Sequence, residues 1–283
     1  MKLCLKSNIF LRENIVDVSV IIPTYNSRKT IEKTIESINL QTVKPLEIII
    51  VDDCSSDTRQ KNLLRVIQKN NSNINVVFLN KNQGPSTARN IGWKIAKGKY
   101  VTFLDSDDIW HPQKLEIQYK YMETNVEVDF LCCPKKVIKN KNIIDFYNIK
   151  IDEKIKYITL NPIRLLFKTA GSTSSVMLRR NIKHRFLDGK KYSEDYLLWL
   201  EILFTHKGVL LNKALVASFK ELYGEAGLSS NLWKMEKGEL ETYTILRKKG
   251  YINFKLMCMA YTFSLFKYVR RYLKCNVFKQ EKI

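Results

Sequence analysis

The sequence predicts an α/β protein with a mostly parallel central sheet flanked by helices. The first 105 residues contain four short, almost wholly apolar segments rich in Val and Ile, which is typical of strands covered on both faces. Segments with helical periodicity lie between them, and strand alternating with helix at this spacing favours right-handed parallel crossovers. The predicted strands are 18–22, 46–51, 74–79 and 100–104.

Three helices are predicted between and after these strands. In "RKTIEKTIESINLQT", Ile31, Ile35 and Ile38 fall on one face, and Asn26 or Ser27 is available as the N-cap. The second helix lies in "RQKNLLRVIQKN" and the third in "PSTARNIGWKIAKG". Each is long enough to cross over between parallel strands.

The second half of the chain mixes the two kinds of element. Helices are predicted over 111–124 and within 192–208, and strands over 128–138 and 174–180. Beyond Gly224 the pattern predicts a helix, a turn and a final helix. A helical extension therefore follows the α/β part.

Composition narrows the class of protein. The chain has 283 residues, of which 45% are hydrophobic and 27% charged, so a folded globular protein is expected rather than a disordered one. The formal charge of +20 indicates anionic partners: a membrane surface, nucleic acid or phosphorylated substrates. Six scattered cysteines form no Cys-x-x-Cys pair, which argues against a zinc site or a disulfide framework.

No segment predicts export or membrane insertion. The N-terminal "MKLCLKSNIFLREN" has too short an apolar stretch for a secretory signal. The longest apolar run, 256–266, is well short of the roughly 20 residues that a spanning helix requires. We therefore expect the protein to remain inside the cell.

Acidic side chains cluster directly after the fourth strand. Asp105, Asp107 and Asp108 repel one another unless a cation lies among them, and carboxylate oxygens suit Mg²⁺ or Mn²⁺, which in turn bind phosphates. A solvated acidic turn is an equally good explanation of this motif taken alone. Its position helps, because ligands of such sheets bind beyond the carboxyl ends of the strands.

Five motifs in the same order together resemble family 2 glycosyltransferases of the GT-A fold. They are "VSVIIPTYN", "LEIIIVDDCSSD", "NQGPSTARNIG", "YVTFLDSDD" and "SEDYLLWLEI". The resemblance covers roughly residues 17 to 230. It implies a Rossmann-like nucleotide-binding half, an acceptor half and a C-terminal helical extension.

The resemblance also implies roles for single residues. Asp53 matches the carboxylate that holds the nucleotide base, Asp107 the metal ligand, and Asp105 the ligand of the ribose or a metal-bound water. Arg89 is expected either to pair with phosphate or to lock Asp105 in place. Asp195 matches the catalytic base, at a helix N-terminus that favours an ionised carboxylate.

Pro23 and Tyr25 complete the expected nucleotide site. Pro23 is expected to end the first strand and turn the backbone towards a ligand, and Tyr25 to stack on a base. Simpler alternatives exist: an ordinary strand-ending proline, a buried tyrosine, a helix-capping Asp53, and a pair Glu194–Asp195 that only supplies charge at a helix N-terminus.

The expected enzyme is a metal-dependent, inverting hexosyltransferase that uses Mn²⁺ or Mg²⁺. Its expected substrates are a nucleotide diphosphate sugar, foremost a UDP-sugar, and a lipid-linked saccharide of O-antigen, capsule or similar polysaccharide synthesis. We expect it in the cytoplasm, at the inner face of the cell membrane. The expected regions are an extension (1–16), a nucleotide-sugar half (17–110), an acceptor half with the base (111–230) and a basic amphipathic helical tail (231–283).

The sequence departs from the family in two places. After the base helix, where members often carry an Arg or His that closes over the diphosphate, "FKELYGEAGLSSN" offers only Lys220, with Tyr223 and Ser229, which puts closure by this loop in doubt. The Gln-x-x-Arg-Trp motif of processive members is missing. A single-addition enzyme is therefore expected.

Alternatives remain for the tail and for the whole chain. The basic tail either lies in an anionic membrane interface or packs on the catalytic part with a solvated face. A sugar nucleotidyltransferase would need a Gly-rich, Arg-containing loop after the first strand, and "PTYNSRKT" has no Gly. A nucleic-acid binder is supported by charge alone, without a recognisable binding motif, so no nucleic-acid partner is expected.

Overall fold

A computed structural model describes residues 14–139, 142–151, 155–219 and 231–276, with the side chains of 274–276 excluded. Its first half alternates strand and helix as the hydrophobic pattern predicts. The elements are β1 (Ile15–Thr24), α1 (Ile31–Asn39), β2 (Lys44–Asp52), α2 (Thr58–Asn70), β3 (Ile74–Phe78), α3 (Pro85–Ile95) and β4 (Tyr100–Phe103).

The second half is built from shorter strands and longer helices. Its elements are β5 (Asp108–Trp110), α4 (Lys114–Thr124), β6 (Val128–Cys132), β7 (Lys135–Val137), α5 (Ile143–Tyr147), β8 (Tyr157–Thr159), α6 (Pro162–Leu165), a 3₁₀ helix (Thr173–Ser175), β9 (Met177–Arg179), α7 (Glu194–Thr205), β10 (Lys207–Leu211), β11 (Val216–Ser218), α8 (Leu232–Lys248) and α9 (Phe254–Asn276).

The main sheet has the strand order β3-β2-β1-β4-β9-β6-β10-β8 in the described part of the chain. Strands β1 to β4 pair in parallel, whereas β9 is antiparallel to both of its neighbours, β4 and β6. Strands β5, β11 and β7 form a small second sheet. The expected α/β class with a mostly parallel sheet and C-terminal helices is confirmed.

Alternate side chains of the central strands enter two apolar layers. Ile21 and Ile49 belong to one cluster, and Ile22 and Ile50 to another, and all four are inaccessible to solvent. Because successive side chains of a strand point to opposite faces, these layers lie on the two faces of the sheet. Burial on both faces explains why the strands are continuous apolar runs.

Two local predictions near β1 are wrong. Pro23 does not end the strand: it pairs opposite Val51, and β1 continues to Thr24. It can stay there because β4 pairs with β1 only as far as Ile21, so the missing N–H breaks no bond on that side. The following helix begins at Ile31 rather than after Ser27, whose carbonyl accepts bonds from a preceding turn.

The segment predicted as a single strand over 128–138 divides into β6 and β7, which belong to different sheets. Pro134 lies between the two strands and cannot donate to a ladder. The predicted helix within 192–208 is α7 followed by part of β10, a strand that the periodicity did not reveal. Two helices after Gly224 are confirmed, although Gly224 itself lies outside the described residues.

The terminal helices α8 and α9 attach to the α/β part by apolar and charged contacts. Tyr243 of α8 and Ala260 of α9 are fully buried in the same core cluster as Ile21. Glu239 accepts from Lys267, and Glu236 from Arg271, across the pair of helices. Among the described helices, none combines the length and apolarity needed to cross a bilayer.

Candidate active site

The parallel register of β1, β2 and β3 brings their carboxyl ends to one edge of the sheet. At the end of β2, Asp52 is buried and its carboxylate accepts from the backbone N–H and the hydroxyl of Ser55, at 3.0 and 2.5 Å. Cys54, between them, has a φ of +58°. Asp52 therefore shapes the turn rather than facing a ligand.

Asp53 holds the loop that leads into α3. Its two carboxylate oxygens accept from the backbone N–H groups of Gln83 and Gly84, each at 2.7 Å. Gly84 has a φ of +87°, a conformation that favours glycine. Asp53 thus has a structural role at the start of α3, and any contact with a base would have to use its remaining lone pairs.

Beside this edge lies a cavity of about 340 Å³, here called the cationic cavity. Tyr25 and Asp107 line it together with Arg28, Lys29 and Arg59. Tyr25 is half exposed, so it is not the buried tyrosine of the simpler alternative. A second carboxylate, Asp57, also lines the cavity and pairs with Arg28 and Arg59. The three cations still outnumber the two carboxylates, which suits a polyanion such as a diphosphate.

The other two carboxylates of the acidic turn point elsewhere. Asp108 is buried, accepts from Lys135 at 2.9 Å and from the Ser174 hydroxyl at 2.5 Å, and burial raises its pKa to about 6. Burial would also raise the pKa of Asp105, but the charges of Arg89 and Lys135 hold it below the ordinary value. Only Asp107 of the three lines the cationic cavity.

Arg89 joins the acidic turn to the start of α7. One guanidinium nitrogen donates to Asp105 at 2.8 Å and another to Glu194 at 2.9 Å, and Arg89 is only 4% exposed. The guanidinium carbon of Arg89 lies 5.2 Å from the centre of the Phe186 ring. Of the two roles expected for Arg89, locking Asp105 in place agrees with this geometry, and contact with phosphate does not.

Asp195 faces away from Glu194 at the N-terminus of α7. Its carboxylate accepts from the Thr173 hydroxyl at 2.9 Å and from the N–H of Tyr196 at 2.8 Å. Two hydrogen bonds fix the carboxylate and leave acceptor positions open. Glu194 is paired with Arg89 and has a structural role, whereas Asp195 is the candidate base.

Asp195 opens into a cavity of about 230 Å³, here called the Asp195 cavity. Trp199, Glu239 and Arg271 line it, along with the segment from Thr169 to Ser172. Helices α8 and α9 therefore form part of its wall. A cavity of mixed polar and apolar lining beside a fixed carboxylate is a place for a hydroxyl-bearing acceptor.

Glu194 makes the stability of the fold depend on pH. Burial and the neighbouring Asp195 raise the pKa of Glu194 from 4.5 to about 7, although Arg89 opposes this shift. The folded state therefore binds this proton more tightly than the unfolded chain, so the stabilisation is complete below about pH 4.5 and is lost as the pH rises to about 7.

We expect the Glu194→Gln variant to lose most of this dependence. Urea unfolding of both proteins at pH 5 and pH 7.5 measures it: the fall in unfolding free energy between these values should be smaller in the variant, by up to about 3 kcal/mol. The remaining carboxylates titrate in both proteins, so they cancel in the comparison. Equal falls would contradict the assignment.

Sequence reasoning missed the cations of the cationic cavity. Arg28 and Lys29 follow the first strand within five residues in "PTYNSRKT", and Arg59 lies in the first turn of the helix after the second strand. Cations placed just after two strand ends were a readable signal. The loop residues Lys220, Tyr223 and Ser229 lie outside the described residues.

Three features agree with the GT-A glycosyltransferase fold: the α/β sheet, the cationic cavity beside the acidic turn, and the fixed carboxylate of Asp195. The chain belongs to glycosyl transferase family 2, whose model matches residues 19–186, more than half of its length. It is a glycosyltransferase, and neither a nucleotidyltransferase nor a nucleic-acid binder is needed to explain it.

Curated relatives share this family. The Escherichia coli UDP-Glc:alpha-D-GlcNAc-diphosphoundecaprenol beta-1,3-glucosyltransferase WfgD is 33% identical over 218 residues, 77% of this chain and 81% of the relative. The Campylobacter jejuni GalNAc(5)-diNAcBac-PP-undecaprenol beta-1,3-glucosyltransferase is 31% identical over 253 residues, 86% of this chain and 80% of the relative.

A solved structure shows the same fold. The crystal structure of S. aureus TarS 1-349 in complex with UDP-GlcNAc superposes with a TM-score of 0.65, covering 94% of this chain and 76% of that one. At 21% identity the likeness concerns the fold alone.

Proposed function

We propose that this glycosyltransferase is an inverting, non-processive enzyme that moves a hexose from a UDP-sugar to a saccharide carried on a lipid diphosphate. The observation that carries the proposal is the link from Asp105 through Arg89 to Glu194. This link fixes a polyanion-binding turn and a candidate base relative to each other. Such fixed geometry is what a single displacement between two substrates requires.

The donor side is the cationic cavity. Arg28, Lys29 and Arg59 line it together with Asp107, and Tyr25 provides an exposed ring in the same cavity. Cations favour the diphosphate, and an aromatic ring offers a stacking surface for the base. The relative WfgD is named for UDP-Glc, which supports a UDP-sugar as donor.

A divalent cation, Mg²⁺ or Mn²⁺, fits Asp107 only if the substrate contributes ligands. Among the described residues, no group of three or more His, Cys, Asp or Glu side chains is placed to hold a metal. Magnesium is commonly bound by one or two carboxylates with substrate phosphates, so Asp107 with a diphosphate is a sufficient set. When bound, the cation would neutralise charge that develops on the leaving diphosphate.

The acceptor side is the Asp195 cavity. Asp195, held by Thr173, takes the proton of an acceptor hydroxyl while that oxygen bonds to the anomeric carbon and the nucleotide diphosphate departs. Attack opposite the leaving group inverts the anomeric configuration, so an α-linked donor gives a β-glycoside. The beta-1,3 linkage in the names of both relatives is in keeping with this outcome.

The acceptor class and the cellular place rest on the relatives and on α9. Both relatives are named for undecaprenol-linked saccharides, which supports a role in O-antigen, capsule or similar polysaccharide synthesis at the cytoplasmic face of the membrane. Phe254, Phe266 and Val269 are among the exposed apolar side chains of α9, a helix without acidic residues. Such a face is suited to an anionic membrane interface.

The donor assignment is tested by a panel of nucleotide sugars with Mn²⁺, Mg²⁺ or EDTA, following nucleotide diphosphate release and binding by calorimetry. We expect release from one UDP-sugar that depends on the metal, and a fall of about tenfold or more in Asp107→Asn because a ligand of the cation is lost.

Asp145→Asn is the matched control for that variant, since Asp145 is exposed and contacts only Asn142 in the hydrogen-bond network of the described residues. It should behave as wild type. If no nucleotide sugar is bound or turned over, the proposed function is wrong. If nucleotide diphosphate release is unaffected by EDTA and by Asp107→Asn, the proposed metal requirement is wrong and the proposed donor stands.

A further inference from the structure

An apolar groove lies next to the Asp195 cavity. It has a volume of about 820 Å³, and Phe167 faces α9 residues that include Phe254, Met259, Phe263 and Phe266 across it. Almost all of its lining is apolar. We call it the α9 groove.

One short segment of chain lines both the α9 groove and the Asp195 cavity. Phe167 belongs to the groove, whereas Leu165 and Thr169, two residues away on either side, belong to the cavity. Helix α9 also reaches both, with Phe266 in the groove and Arg271 in the cavity. These two positions are five residues apart, about 8 Å along a helix.

The segment that lines both sites carries a cation. Lys168 stands between Phe167 and Thr169 and is exposed, and the described residues give its side chain no hydrogen bond or ion pair. Helix α9 adds Lys255 and Arg270 on its exposed side and contains no acidic residue. The acids that line the cavity are Asp195 and Glu239, and Glu239 is paired with Lys267 and Arg271. Lys168 is therefore a cation that remains available to an anion beside the cavity.

We propose that the α9 groove holds the hydrocarbon chain of a lipid diphosphate acceptor, with the diphosphate at Lys168 and the saccharide in the Asp195 cavity. The order of the three sites matches the order of the three parts of such a molecule: apolar chain, anion, sugar. The rise of about 8 Å along α9 from Phe266 to Arg271 is of the order of the length of a diphosphate. This inference rests on the proposed function, because it specifies that enzyme's acceptor.

The α9 groove is open to solvent along one side, and most of its apolar lining is exposed. A bilayer would contact every exposed apolar side chain of α9, whereas a single bound chain would contact only those that line the groove. Leu273 is 44% exposed and Phe266 70% exposed on the same helix, yet only Phe266 lines the groove. Variants at these two positions can therefore distinguish a single bound hydrocarbon chain from a bilayer.

The test uses the full chain and an undecyl diphosphate that carries an environment-sensitive fluorophore at the end of its chain. We expect saturable binding that weakens about tenfold in Phe266→Ser and remains as in wild type in Leu273→Ser. Lys168→Gln should weaken the diphosphate probe about fivefold and leave the matching labelled undecanol unaffected, because only the first carries charge. Circular dichroism checks that each variant folds.

Equal effects of Phe266→Ser and Leu273→Ser on the probe would overturn the proposal. If both variants also reduced binding to phosphatidylglycerol vesicles equally, α9 would be a bilayer-docking face. If Phe266→Ser instead converted a dimer to a monomer in sedimentation, the groove would be an interface between copies of this chain.

Nucleotide-sugar binding by the wild-type protein keeps the two proposals apart. If the protein binds a nucleotide sugar but not the undecyl diphosphate probe, the proposed position of the acceptor is wrong and the proposed function stands. If the protein binds the probe but no nucleotide sugar, the proposed transfer from a UDP-sugar is wrong, and the proposed position of the acceptor depends on that transfer.

Discussion

Asp195→Asn should lower kcat for sugar transfer by about a thousandfold, because a positioned general base contributes typically 10²–10⁴-fold. The asparagine keeps the size of the side chain and can still accept from the Thr173 hydroxyl, but it cannot take a proton. Donor affinity should remain as in wild type, since Asp195 lies outside the cationic cavity. Transfer to a saccharide acceptor and donor binding by calorimetry measure the two effects.

The pH profile of transfer gives a second readout for Asp195. A base requirement produces an acidic limb in the dependence of kcat/KM on pH, and this limb should disappear in the variant. Asp145→Asn again serves as the exposed control and should retain both the rate and the profile. An Asp195→Asn enzyme with more than a tenth of the wild-type kcat would show that another group accepts the proton.

Arg89→Met should lower the free energy of unfolding by about 3–5 kcal/mol, the range seen when one partner of a buried ion pair is removed. Methionine fills a similar space, but Asp105 and Glu194 would lose their shared cation. Urea unfolding monitored by circular dichroism measures the loss. Arg89→Lys should fall between wild type and Arg89→Met, because one ammonium cannot reproduce two directed bonds.

Two comparisons show whether this loss comes from unpaired charge. Arg59→Met removes an exposed partner of Asp57 and should cost no more than about 1 kcal/mol. Combining Arg89→Met with Glu194→Gln and Asp105→Asn should recover part of the stability, because neither carboxylate is then left charged without its cation. A triple variant as unstable as the sum of its single changes would mean that Arg89 acts by packing alone.

The sequence predicts the first half of the fold well because its signals are local. Strands β1 to β4 are short apolar runs, and turn residues and helical periodicity separate them. The second half depends on longer-range pairing. Strand β10 follows α7 after a single residue, so its apolar side chains continue the pattern of the helix, and only pairing with β6 and β8 distinguishes it.

The site shows the same division between local and distant information. The acidic turn and the pair Glu194–Asp195 are legible as motifs, but the bonds of Arg89 are not, because Glu194 lies 105 residues away in sequence. The Asp195 cavity draws its wall from α8 and α9, which no motif of the family includes. The roles of single residues and the four regional boundaries stay predictions.

The position of β9 in the sheet affects how the protein can fold while it is being synthesised. Strand β4 ends at Phe103, but its antiparallel neighbour β9 begins only at Met177. At roughly 5–20 residues per second, a ribosome takes roughly 4–15 seconds to make the chain between them. Throughout that interval the edge of β4 has unpaired backbone groups that can pair with another nascent chain. The incomplete chain on the ribosome, rather than the finished enzyme, is therefore the form most exposed to aggregation.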